Sequence, residues 1–438
     1  MKKFILISIF VIIDITVLVT LFYLTSEIRG NIDGLYIPKF NTLSLNNFIF
    51  VIFITIAFMN YENIYTIRYD FWQETYKIAK SLFLSYLIVL ALITLSKTSM
   101  VYSRLFITLY FALGMLIIPT MKRLSKKLIY SFSFFKKKVL IVGDKKQVDM
   151  FKKEFKDNWY LGMKYDDKDY DTVFISSRGM SVEEVNQEII KYLNDKSSVY
   201  LVPYVTSINF ANSNILEYSN IRYNALQIEN KLLIKRNIYI KYIFDIVTIL
   251  LFMPLLIITH ILIIIAIRLD SKGPVFFKQT RLGKDNKNFM CYKYRTMHEN
   301  STKLLEDYLE QNPEEIANYK EFHKYKNDPR ITRVGKFLRK TSLDELPQVI
   351  NVLKLDMSLI GPRPYMIKES CKLGDNKDFI LKVRPGITGL WQVSGRNNLT
   401  FKKRIELEVW YIKNWSLWAD FVILVKTIKV VLFRNGAR

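Results

Sequence analysis

Cysteine and histidine are nearly missing from this chain of 438 residues, which has two of the first and three of the second. Cys291 and Cys371 cannot build a disulfide framework, and no Cys-x-x-Cys occurs. The soluble parts therefore fit a reducing compartment. His260, His298 and His323 lie far apart in sequence, which argues against a His-based zinc site or a Ser-His-Asp triad. Acidic residues are also short, 40 against 64 Lys and Arg, for a net charge of +24. Such an excess suits nucleic acid, an anionic membrane surface or a phosphorylated substrate. Half the residues are hydrophobic, which disfavours a nucleic-acid binder. What remains is chemistry by carboxylates and basic groups, in a chain with apolar segments in lipid beside basic segments in water.

Apolar runs cover Phe4–Leu24, Phe48–Met59, Ser81–Leu95 and Leu105–Met121. The first is long enough for a bilayer, holds Asp14, and lacks a small-residue cleavage site after it, so it reads as a retained helix. Four crossings put both ends of this region on one side. Lys2 and Lys3 precede the first run, and Lys122, Arg123, Lys126, Lys127 and Lys136 to Lys138 follow the fourth. The positive-inside rule places both ends in the cytoplasm.

From Lys138 the pattern changes. Short apolar strands at Val139–Val142, Asp171–Ser176 and Val199–Val202 alternate with helix-compatible stretches, one of them Val182–Leu193. This predicts a small parallel α/β unit. Gly143 follows the first strand, but Gly-x-Gly-x-x-Gly is lacking, so a structural or regulatory module is favoured over a nucleotide site. Ile246–Leu269 is a further apolar run with basic residues on both flanks and Pro254 inside it. Those features predict a helix that enters the membrane, breaks near Met253–Pro254 and returns to the same face.

The densest polar motif is Thr341-Ser342-Leu343-Asp344-Glu345-Leu346-Pro347-Gln348. Ser342 and Glu345 have capping-box spacing. Pro347 suits the first position of a helix, which leaves Asp344 and Glu345 on a bend before it. Adjacent carboxylates there could hold Mg²⁺, and one of them could attack phosphorus. Lys293 and Arg295 share a face if their segment is a strand. Arg330 and Arg363 sit in stiff, Pro-rich settings suited to phosphate. Cations around one acidic pair suggest phosphoryl transfer.

Residues from about 231 to 438 resemble the bacterial sugar transferase family, the monotopic phosphoglycosyl transferases. The resemblance rests on Gly273 to Arg281, Lys293 to Met297, Asp328 to Arg330, Ser342 to Gln348, Asn351 to Lys354, Asp356 to Pro364 and Arg384 to Asn397. With the segments ahead of them, these resemble the long form, similar to undecaprenyl-phosphate galactose-phosphotransferases. The resemblance implies a membrane α-helical plus α/β chain. Four transmembrane helices (1–125) precede a Rossmann-like α/β module (136–228) and a catalytic domain (231–438) anchored by a re-entrant helix (238–268) that Pro254 breaks. It implies that Asp344 attacks a UDP-sugar, releasing UMP, and that polyprenyl phosphate then takes the phosphosugar, in surface polysaccharide assembly at the bacterial inner membrane, with the catalytic domain facing the cytoplasm. Glu345 would act with Mg²⁺, held by Asp344 and Glu345, or as a base. Lys293, Arg295, Arg330, Arg363, Arg384, Gln392 and Arg396 would bind substrate. The resemblance suggests a homodimer. The chain departs from the family at Tyr242, Met253 and Leu355. A conventional glycosyltransferase releasing UDP and a non-catalytic membrane scaffold are the rival readings.

Overall fold

The apolar runs near the N-terminus fold as helices longer than the runs themselves. In the computed structural model they are α1 (Lys2–Gly30), α2 (Leu45–Tyr61), α3 (Phe71–Leu95) and α4 (Arg104–Ile129). The structure describes residues 2–32, 44–96, 102–195, 199–203, 214–218, 223–227, 229–312, 328–395 and 399–433. They group into two units, Met1–Val205 and Thr206–Arg438.

In the first unit α1, α3 and α4 are each long and apolar enough to cross a membrane, and α2 is shorter. Their shared interior is apolar and aromatic, with Phe22, Phe48, Phe106 and Tyr110 meeting edge to face or tilted. Two buried ion pairs lie inside it. Lys122 Nζ lies 2.5 Å from Asp14 Oδ2, with both side chains buried. Lys126 pairs with Glu74 in the same way. An unpaired charge at such depth is costly, so the pairs fix which helix faces which. Arg68 then ties the loop after α2 to the next module by donating to the carbonyls of Phe135, Leu161 and Gly162.

That module is built from β1 (Lys137–Val142), α5 (Lys145–Asp157), β2 (Met163–Tyr165), β3 (Thr172–Ser176), α6 (Val182–Asp195) and β4 (Val199–Val202). The strands form one parallel sheet in the order β2-β1-β3-β4. Gly143 has φ +145°, and a Cβ there would lie 2.8 Å from the Ser176 side chain. It is needed for close backbone approach to β3. The module ends within the first unit. β5 (Asn214–Tyr218) and β6 (Tyr223–Gln227) pair with each other and fall in the second unit, within the range 136–228 expected for the module.

The second unit is organised along α7 (Lys235–Asp270). The expected break is not present as a change in conformation: the helix is continuous, with Pro254 inside it. One stripe of α7 meets protein along nearly its whole length. Lys241 donates to Asp420, Asp245 accepts from Ser358, and Ile249 packs on Cys291, Val352 and Met357. Further along, His260 hydrogen-bonds the Tyr294 hydroxyl, Ile263 and Ile267 pack on Val275 and Leu338, and Asp270 accepts from the Val334 amide. The remaining surface, including Val247, Leu251, Leu255, Ile258, Leu262 and Leu269, is exposed and apolar. A narrow buried stripe beside a wide apolar face suits a helix lying between protein and lipid.

The chain continues as β7 (Phe276–Leu282) and β8 (Asn288–Tyr294), an antiparallel pair, then α8 (Ser301–Gln311), α9 (Arg333–Thr341) and α10 (Val349–Leu353). They are followed by β9 (Ser358–Ile360), α11 (Lys377–Ile380), β10 (Gly386–Thr388), α12 (Leu390–Val393), α13 (Phe401–Lys413) and α14 (Leu417–Phe433). β9 and β10 pair in parallel.

Candidate active site

Ser342 ends α9 in the left-handed region, with φ 58° and ψ 17°. A non-glycine residue there marks a turn the surrounding structure must hold. The chain leaves it directly as a 3-10 segment, Leu343–Gln348, and α10 begins at Val349. Asp344 and Glu345 therefore occupy the first turn of a 3-10 helix, and Pro347 lies inside it rather than opening an α-helix. The capping box does not form: Ser342 makes no side-chain cap, and the Glu345 carboxylate goes elsewhere.

It goes to Lys293. On β8 the Lys293 Nζ sits 2.6 Å from Glu345 Oε1 and 4.0 Å from Asp344 Oδ2. Both carboxylates open into a cleft of about 630 Å³. Their side chains are 16% and 29% exposed, so the tips are reachable although protein surrounds them. Burial, then the neighbouring Glu345 charge, push the Asp344 carboxyl up to about 6, against the pull of Lys293 and Arg339. Glu345 goes the other way. Burial opposes its charge, but Lys293, Arg363 and Arg281 outweigh that and hold it below its ordinary value. Two adjacent carboxylates thus have separated roles, one well compensated and one more basic.

The cations come from separate elements. Arg281, on β7, donates to the Pro364 carbonyl at 3.2 Å and to Gln279 at 2.6 Å. Arg363 stands over the Trp391 ring at 5.8 Å, and its amide donates to Glu408 Oε1 at 2.8 Å. Glu408, on α13, also accepts from the Tyr365 hydroxyl, at 2.5 Å. Burial raises its pKa to about 7. It secures the Gly361-Pro362-Arg363-Pro364 loop from behind.

The cleft brings together Asp344, Glu345, Lys293, Arg295, Arg363 and Gln392 from the residues singled out in sequence. Arg295 lies just past the end of β8 yet lines the same wall as Lys293. Arg330 does not line it; its fork is turned onto Asp328, at 2.8 and 2.6 Å. Arg384 stands apart, 5.2 Å from the Tyr242 ring, beside a small cavity of about 40 Å³. Arg396 is outside the described residues. Sequence reasoning missed Arg281, Arg339 and Glu408. Arg281 shares an alternating strand pattern with Gln279, a signal of the same kind as Lys293 and Arg295.

Mg²⁺ takes oxygen ligands, typically one or two carboxylates together with water and substrate phosphates. Asp344 and Glu345 fit that donor set, and no group of three or more His, Cys, Asp or Glu capable of a full protein cage occurs among the described residues.

A family model described as bacterial sugar transferase matches residues 236–434. The chain is 34% identical over 413 residues to an uncharacterized sugar transferase of Haemophilus influenzae, covering 85% of each chain. It is 33% identical over 410 residues to the undecaprenyl-phosphate galactose phosphotransferase of Salmonella typhimurium, covering 85% of this chain and 84% of that one. It is 32% identical over 403 residues to the UDP-galactose-lipid carrier transferase of Erwinia amylovora, again covering 85% and 84%.

Proposed function

The chain belongs to the bacterial sugar transferase family, and from that premise we propose that it moves a hexose 1-phosphate from a UDP-sugar to polyprenyl phosphate, with UMP as the product. The observation that carries this reading is the acidic pair. Lys293 neutralises Glu345 at 2.6 Å and leaves Asp344, at 4.0 Å, the more basic of the two. That makes Asp344 the nucleophile. Its Oδ attacks the sugar-bearing phosphorus, the bond from that phosphorus to the UMP oxygen breaks, and UMP leaves with the electron pair. The acceptor phosphate oxygen then attacks the same phosphorus. The Asp344–phosphorus bond breaks, and the carboxylate is restored as the lipid-linked sugar diphosphate forms.

Arg281, Arg363 and Lys293 oppose the charge of the donor diphosphate, and the indole of Trp391 and the amide of Gln392 shape the wall beside it. Asp344 and Glu345 would hold Mg²⁺. A bound Mg²⁺ offsets diphosphate charge and orients the reacting oxygens. The exposed apolar face of α7 and its basic flanks fit a helix whose two ends stay on the cytoplasmic side of the inner membrane. A transverse crossing would carry the elements packed along it into lipid. The product would feed polysaccharide assembly, and galactose and glucose donors are the first to test.

The test is product identity. Full-length protein with Mg²⁺, a UDP-sugar and polyprenyl phosphate should release UMP, and Asp344→Asn should release none. With the acceptor withheld, mass spectrometry should find a phosphosugar on residue 344. UDP as the product, or undiminished turnover by the Asn variant, defeats the reading.

A further inference from the structure

Lys293 meets the two carboxylates only while β8 is held in place, and β8 pairs with one strand alone, β7. The outer edge of such a strand carries backbone donors and acceptors that something else must meet. Here a side chain meets two of them. The Asn351 amide nitrogen donates to the Met290 carbonyl at 2.7 Å, and Asn351 Oδ1 accepts from the Tyr292 amide at 3.1 Å. Residues two apart on a strand present their backbone groups to the same edge. A carboxamide has a donor and an acceptor side by side, so it spans that pair as a neighbouring strand would. Tyr292 directly precedes Lys293.

Asn351 is itself fixed. It is fully buried on α10, which begins directly after the 3-10 segment that carries Asp344 and Glu345. Its carbonyl accepts from the amides of Asp356 at 3.0 Å and Met357 at 3.2 Å, which close the turn after α10. The next residue, Val352, packs with Ile249, Cys291 and Met357. One side chain thus joins the strand that bears the cation to the helix that continues the acidic segment. Asn351 does not line the cleft, whereas Cys291 and Lys293 do.

We infer that Asn351 is a positioning residue for the transfer reaction: its carboxamide fixes the outer edge of β8 and so sets Lys293 against Glu345 and Asp344. It touches no reacting atom and acts through Lys293. This rests on the reading of the cleft given above. The leverage is large, because a displacement of about 1 Å at a reacting site can cost about a hundredfold in rate. With the carboxamide gone, the Met290–Tyr292 edge is held from the β7 side only, and the Lys293 ammonium loses its fixed place 2.6 Å from Glu345.

Two measurements on the full-length protein test this. The first needs no substrate. Asn351→Ala should speed hydrogen exchange of the Tyr292 amide about tenfold, the scale of one lost hydrogen bond, and leave the amides of β1 at parent rates. The second is the single-turnover burst of UMP at saturating UDP-sugar, counted per folded molecule. Asn351→Ala should lower it about tenfold or more in the parent. In a Lys293→Met background the same change should lower it less than about twofold further, because the group that Asn351 places is already gone. A merely structural role would give the same fold loss in both backgrounds. Asn351→Asp keeps the side-chain volume and the acceptor facing Tyr292 and loses only the donor facing Met290. It should act in the same direction on both readouts, and it replaces the Ala variant if that one does not fold. Tyr292 exchange within about twofold of the parent, or equal losses with and without Lys293, overturns the positioning role. Absence of UMP from the parent brings down the transfer reading and the positioning role with it, while Tyr292 exchange still shows whether Asn351 holds the strand.

Discussion

With its side chain 16% exposed and Lys293 no closer than 4.0 Å, Asp344 ionises only near pH 6. On the proposed mechanism only the carboxylate attacks phosphorus, so UMP release should fall about tenfold for each pH unit below 6 and level off above it. A pH profile of the single-turnover burst checks this. The same residue works against folding. A carboxyl raised from 3.8 to about 6 contributes stability below 3.8 that is lost as pH rises through 6. At neutral pH Asp344→Asn should therefore be more stable than the parent, by about 1–2 kcal/mol after allowing for partial exposure. That gain should vanish in acid, which thermal unfolding across pH would show. The acidic pair and Lys293 were legible in the sequence because a rare polar motif and a strand alternation marked them. Glu408 was not: a glutamate on an amphipathic helix reads as solvated until Tyr365 and the Arg363 amide are found against it.

At the scale of single elements α7 is the most informative. Its length and apolarity were plain in the sequence, and so were its basic flanks. The stripe that meets protein was not, because a helix apolar on every side gives no periodic signal. Lys241 shows what was hidden. Its partner Asp420 lies far along the chain, fully buried, and also accepts from Tyr411 at 2.7 Å and Trp415 at 2.8 Å. Lys241→Ala leaves that carboxylate buried with only neutral donors, and should cost about 3 kcal/mol in unfolding measured in detergent. Lys241→Ala with Asp420→Asn should recover most of it, since the stranded charge is gone. The expected break at Pro254 failed for a related reason. Proline removes one amide donor, and α7 keeps its helical conformation through that position while protein contacts hold it on both sides.

For the molecule as a whole, the candidate site and the match to the family model fall in the second unit, while the first unit holds charge pairs inside an apolar bundle. Lys122→Ala strips Asp14 of its cation without touching the cleft. The yield of folded protein and the melting temperature of the first unit should fall, and kcat per folded molecule should stay at the parent value. Limited proteolysis beside a UMP assay separates the two. Gly143 follows the first strand of the module that the sequence favours as structural or regulatory, and a Cβ there would lie 2.8 Å from the Ser176 side chain.

The Asp14–Lys122 pair also dates the assembly of the bundle. The aspartate is made more than a hundred residues before the lysine that neutralises it. Were the first helix to enter the membrane before the fourth is made, it would carry an acid without its cation. A nascent chain arrested after the third helix should be cleaved more readily by protease than one arrested after the fourth. On this reading the last helix of the bundle supplies the cation that closes it.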